Sequence, residues 1–169
     1  MSTGLRFGVI LLSLLLGLMA GFFYAFSFTV MPGLDLLTGD AAMDAMRGIN
    51  VAVRNPVFFA TFALTPVLGF LLAGACLFTG RRWPGVLLLV SFAFYAAGVV
   101  ALTASLNVPM NRALAEGSLS GMANWLEWSA TWTGANHLRT AASLFALLLA
   151  LLALCRLSVE RVGVAHRPG

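Results

Sequence analysis

The sequence predicts an all-α integral membrane protein, a four-helix bundle with extra amphipathic or interfacial helices in two outward loops. Three observations carry this reading. Charged residues are only 9% of the 169, whereas a soluble domain carries about 25%. Hydrophobic residues make up 60%. Four stretches, about 7–30, 57–79, 84–106 and 138–155, reach the roughly 20 apolar residues that a helix needs to cross the hydrocarbon core. So few charges cannot cover a water-soluble surface, which excludes an ordinary cytosolic enzyme and a disordered tail. A nucleic-acid binder is excluded as well. The ten basic residues behind the net charge of +4 are scattered in ones and twos. All ten are Arg. Without Lys there is no Schiff base for retinal or PLP. The length fits a single membrane domain, 1–169.

The first stretch follows Arg6 and is longer than the 7–15 residues of a signal-peptide core, so it reads as a retained span. Ser13, Gly17, Gly21 and Ala25 recur at intervals of four along it, and Ala93, Ala97, Ala101 and Ser105 do the same in the third. Helices in lipid associate through close packing of small residues, so each stripe predicts a helix contact. Pro66 sits inside the second span. Tyr95 lies mid-way along the third span and Tyr24 near the outer end of the first; each phenol either lines a cavity or satisfies a neighbouring backbone group. Cys76 and Cys155 lie near span ends and read as packing thiols.

The arginines set an orientation. Segments 1–6, 80–83 and 156–169 hold six Arg (6, 81, 82, 156, 161 and 167) against Glu160, a balance of +5. Segments 31–54 and 107–139 hold four (47, 54, 112 and 139) against Asp35, Asp40, Asp44, Glu116 and Glu127, a balance of −1. The positive-inside rule then puts both termini in the cytoplasm of a multi-pass plasma-membrane protein, with loops 31–56 and 107–137 outward.

Those loops carry the polar chemistry. Segment 40–54 places Ala42, Met43, Met46, Ile49, Asn50 and Val53 at helical spacing opposite Asp40, Asp44 and Arg47, an amphipathic helix on the membrane face or over the bundle. Asn50 interrupts the apolar side and is a site candidate, whereas Asn55-Pro56 reads as a helix start. Pro109 is expected to stop the third helix, with Asn107 and Asn111 on either side. Trp125, Trp128, Trp132, Asn136 and Arg139 follow steps of three, four, four and three, one face of a continuous helix. An interfacial tryptophan belt explains the upper part. It does not explain Asn136, His137 and Arg139 entering the apolar phase, where charged residues face a bundle interior or a wet cavity. Alternatively, Arg139 pairs with Glu127, Glu116 or Asp35. The polar residues thus gather at one rim, which predicts an outward-opening pocket for a flat, mostly apolar molecule.

Several of these residues resemble the anthrone oxygenase-like family of small four-helix integral membrane proteins. The resemblance rests on Gly21 to Phe26, Met31 to Leu34, Met46 to Asn50, Asn55 to Phe58, Asn107-Val108-Pro109-Met110-Asn111, Trp132 and Asn136-His137-Leu138-Arg139-Thr140. It implies a four-helix membrane bundle that oxidises an anthrone- or phenol-type substrate with molecular oxygen. An anthrone methylene is acidified by two aryl rings, so its enolate can react with oxygen directly. The reaction needs a base, a partner for the enolate oxygen and an aromatic slot, and no metal or other cofactor besides O2 as co-substrate. On this reading His137 is the base and Arg139 the partner, helped by Asn136 or Asn111. Trp128 and Trp132 sandwich the rings, and Asn50, Asn107 and Tyr24 complete the binding wall. A metal centre is not expected, since His166 is the only other His and the carboxylate spacing matches no signature. The competing readings are a non-catalytic small-molecule-binding or transport protein and an accessory subunit of a membrane complex. The expected partners are the bilayer and an apolar aromatic molecule, with a homo-oligomer left open.

Overall fold

A computed structural model describes residues 2–119 and 123–165, with side chains described to Val159; His166 and Arg167 lie outside the described residues. Five helices follow in order: α1 Thr3–Leu34, α2 Gly39–Val53, α3 Pro56–Phe78, α4 Arg82–Ala115 and α5 Trp125–Ala165. Helices α1, α3, α4 and the Trp125–Val159 part of α5 are long and apolar enough to cross a membrane. Their order around the bundle is α1–α3–α4–α5, closed by α5 against α1, and neighbours run antiparallel. Helix α2 lies over the outer end, against the last turns of α4 and the start of α5.

Local chemistry sets the boundaries. Asn55 caps α3 by accepting from the Phe58 N–H at 3.0 Å, and Pro56 takes the first helical position. Gly80, at φ +77°, closes α3: Arg81 N–H donates back to Cys76 O and Gly80 N–H to Leu77 O. Asn124 Oδ1 caps α5 by accepting from Glu127 N–H, and Glu127 Oε2 accepts from Ala123 N–H.

Pro109 does not stop the third helix, and Pro32 does not stop the first. Each proline falls two residues after the end of a π-helical segment, Phe26–Val30 in α1 and Thr103–Asn107 in α4. There it stands at the start of a fresh α-helical stretch, where its missing N–H is tolerated. The stop in α4 is Gly117, at φ +81°, with Ser118 N–H on Ala113 O and Gly117 N–H on Leu114 O. Most of the segment 107–137 expected as a loop is therefore helical; among the described residues, 116–119 and 123–124 are not.

Two apolar clusters fill the interior. The inner one joins Val9, Leu12, Leu16, Met19 and Phe23 of α1 to Ala73 of α3, Leu88, Tyr95 and Val99 of α4, and Ala142, Ala146 and Ala150 of α5. The outer one joins Phe26, Met31 and Met46 to Met110, Leu114, Trp125, Trp128 and Trp132. The two predicted small-residue stripes do not make the contacts expected of them. A Cβ added at Gly17 or Gly21 would meet nothing within 4 Å, and Ala93, Ala97, Ala101 and Ser105 are exposed. Larger apolar residues on the other face of each helix carry the burial instead. The tight approach is at Gly98, where a Cβ would come 2.5 Å from Ala142 Cβ. Leu14, Leu18, Phe70, Leu71 and Leu148 point outward, as suits a surface solvated by lipid.

Candidate functional site

A cavity of about 800 Å³ opens at the end of the bundle that α2 covers. That volume lies within the usual range for small-molecule sites. Its walls are Phe22 and Phe26 of α1, Asn50 and Arg54 at the end of α2, Phe58, Phe59 and Phe62 of α3, Thr103, Asn107, Asn111 and Arg112 of α4, and Trp132 and Arg139 of α5. All three π-helical stretches, Phe26–Val30, Ala96–Ala101 and Thr103–Asn107, border it, through Phe26, through Val100, and through Thr103, Ala104 and Asn107. A π turn pushes side chains off the regular α stripe, and such turns recur at functional sites.

Arg139 forms part of the wall and is 5% exposed. Its guanidinium carbon lies 4.8 Å from the Phe23 ring centroid and 5.0 Å from that of Trp132, cation–π distances on both sides. Nη2 donates to Asn136 Oδ1 at 2.8 Å and Nη1 to Thr103 Oγ1 at 3.3 Å, while Nε has no partner. Among the described residues no carboxylate lies within ion-pair distance of it. The carboxylates expected as its partners are placed elsewhere. Asp35 accepts from Trp125 Nε1 and Ser129 Oγ, and Glu127 serves the α5 cap. Glu116 stands on the cavity wall without pairing with Arg139.

Asn136, wholly buried, sits behind the wall and orients the guanidinium. Its Nδ2 donates to Phe23 O at 2.7 Å and Ser27 Oγ at 2.8 Å. Both amide hydrogens are thereby used on α1, which turns Oδ1 toward Arg139. Thr140 Oγ1 contacts Ser27 Oγ at 3.2 Å and donates to Asn136 O.

Trp132 is held by two asparagines of α4. Its Nε1 donates to Asn111 Oδ1 at 2.9 Å, and Asn107 Nδ2 donates to its carbonyl at 3.4 Å. Trp128 stacks behind it, 6.4 Å between ring centroids and 19° between planes, and Trp125 stacks on Trp128. The amide nitrogen of Asn50 is buried on the wall without a partner.

Five of the residues singled out from the sequence therefore line one cavity: Asn50, Asn107, Asn111, Trp132 and Arg139. Asn136 touches it through Arg139. The other three are not in the wall. Trp128 is buried between Trp125 and Trp132. Tyr24 is 55% exposed on the outer surface of α1. His137 is exposed beside Phe28, 5.2 Å between ring centroids, in a shallow groove shared with Tyr24. The expected convergence of His137 with Arg139 fails for a geometric reason. Two residues apart on an α-helix is a turn of about 200°, so the stripe containing Asn136 and Arg139 puts His137 on the far side.

A family model described as anthrone oxygenase matches residues 51–149, more than half of the chain. The chain belongs to the anthrone oxygenase family. No curated protein and no solved structure matches it. The matched segment spans α3, α4 and most of α5, so the family portion includes Phe58, Thr103, Asn107, Asn111, Trp132, Asn136 and Arg139. Phe22, Phe23, Phe26 and Ser27 of α1, and Asn50 of α2, enter the site from outside it. Sequence reasoning missed Thr103. Its signal was the interval of four through Thr103, Asn107 and Asn111, hidden once Pro109 was read as the end of the helix. It also missed the phenylalanines of α1 and α3, which nothing distinguishes by pattern from lipid-facing ones.

Proposed function

We propose that the cavity binds a flat aromatic ketone of the anthrone class and holds its enolate for reaction with molecular oxygen. One observation carries this reading. Arg139 is a buried guanidinium on the wall of an apolar cavity, with no carboxylate within ion-pair distance among the described residues. A charge held there without a counter-ion has a large desolvation penalty. An anionic oxygen that forms in the cavity relieves it, and the attraction is strengthened by the apolar surroundings of the buried guanidinium. The rings of Phe22, Phe26, Phe58, Phe62 and Trp132 supply the slot for the aromatic body.

The chemistry balances with one O2 per turnover. A proton leaves the methylene carbon, and the charge passes to the ketone oxygen beside Arg139. The carbon then gives an electron pair to O2, a C–O bond forms, and the peroxide is protonated. Loss of the second C–H proton with cleavage of O–O releases water and leaves a second carbonyl, the quinone. Glu116 is the carboxylate on the wall and is assigned as proton acceptor in place of His137. The arginine asymmetry supports a mouth on the non-cytoplasmic side of the membrane, with both termini cytoplasmic.

The test uses purified protein in detergent with anthrone under oxygen, reading oxygen uptake and quinone absorbance. Wild type is expected to turn over, and Arg139→Gln to lose about 10²–10³-fold in rate, the size of one oxyanion donor. Its thermal midpoint should show that it is folded. Binding of anthrone without oxygen uptake by wild type would replace this reading with a non-catalytic binding protein.

A further inference from the structure

We propose that the ligand of this cavity carries a carboxylate besides its ketone, and that Arg54 and Arg112 receive it at the mouth. The proposal rests on the reading of the cavity as an aromatic ketone site and narrows its substrate class to acidic aromatics. Six of the ten arginines belong to the segments that hold the two termini and the α3–α4 turn. The remaining four are Arg47, Arg54, Arg112 and Arg139, and all four line this one cavity. Of the five acids at this end, Glu116 alone does so. Four positive charges and one negative leave the wall at a net +3. Such a lining with apolar walls focuses the field toward anions.

The four arginines divide by their partners. Arg139 serves the interior. Arg47 is engaged, with Nη1 on Asp44 at 2.7 Å and Nε on Leu114 O at 2.9 Å. Arg54 and Arg112 have no carboxylate within ion-pair distance among the described residues. Arg54 Nε is tied to Asn50 O at 3.1 Å, which leaves its terminal nitrogens for the opening. The two come from different helices, the end of α2 and the last turns of α4, to the same mouth. Arginines at this end run against the charge preference that orients the chain, and a neutral polycycle needs neither of them. A carboxylate uses both, since the planar guanidinium matches its two oxygens.

The test compares anthraquinone-2-carboxylate with unsubstituted anthraquinone, both closed to further oxidation, by quenching of tryptophan fluorescence in neutral detergent. Wild type is expected to bind the carboxylate at least ten-fold more tightly. Arg54→Gln/Arg112→Gln, two exposed positions, should abolish that advantage while anthraquinone still binds. Equal affinities in wild type, or a preference that survives the double substitution, would overturn the subsite. Displacement of the carboxylate by phosphatidylglycerol but not phosphatidylcholine would also overturn it, because the arginines would then serve a lipid phosphate. Failure of anthraquinone itself to bind wild type strikes at the aromatic ketone reading, so the two failures are distinguishable.

Discussion

Asn136 Oδ1 accepts from Arg139 Nη2 at 2.8 Å, one helical step along α5, while its amide nitrogen is spent on Phe23 O and Ser27 Oγ of α1. One buried amide thus couples the helix interface to the orientation of the cavity's cation. Asn136→Ala removes three hydrogen bonds and leaves Phe23 O and the guanidinium short of partners. Thermal unfolding in detergent should show a loss of about 2–4 kcal/mol, and oxygen uptake with anthrone should fall with it.

On the proposed reaction, Arg139 stabilises the reacting state at the expense of the resting one. Arg139→Met removes an unneutralised charge from an apolar wall and keeps most of the side-chain volume. The gain from removing the charge is offset by the buried Asn136 Oδ1, which loses its donor, so stability should stay within about 2 kcal/mol of wild type while turnover is lost. Unfolding curves read beside oxygen consumption check both halves.

His137→Ala should leave turnover within about two-fold of wild type, because the imidazole lies outside the cavity beside Phe28. A substantial loss of rate would return the proton transfer to this residue and take it from Glu116.

Trp132 lines the cavity and Trp128 lies behind it. Trp132→Phe should therefore remove most of the ligand-dependent fluorescence change, and Trp128→Phe should keep most of it. Asn111→Leu deprives the Trp132 indole N–H of its acceptor. Ligand affinity should weaken by a factor of about ten, near 1.4 kcal/mol.

Gly98→Ala puts a Cβ 2.5 Å from Ala142 Cβ, between two helix backbones with little freedom to yield. Overpacking of this kind costs about 1–3 kcal/mol. Gly17→Ala enters open space and should be neutral or slightly stabilising.

The four apolar stretches were readable because hydrocarbon imposes a length and a composition on anything that crosses it. The stripe from Trp125 to Arg139 was readable because α5 is regular there. What escaped was set by departures from regularity. Pro109 looks like a stop, but a π turn ahead of it lets the helix continue, as another does ahead of Pro32. Glycine at intervals of four in α1 looks like an interface, but a neighbour must come to that face for the motif to act, and α5 and α3 pack on the opposite one. His137 drew notice for its chemistry, whereas its phase relative to Asn136 and Arg139 already separated it from them.

The lengths of α4 and α5 bear on how a guest arrives. At 1.5 Å per residue, the 34 residues of α4 extend about 51 Å, against a hydrocarbon thickness of about 30 Å. On the proposed orientation its last turns, with Asn107, Asn111 and Arg112, reach headgroup depth. That is also the depth at which planar compounds with a few oxygens collect after partitioning out of water. On the proposed function, a molecule dissolved there already stands at the depth of the chamber, so its supply should follow its concentration in the leaflet rather than in the surrounding fluid.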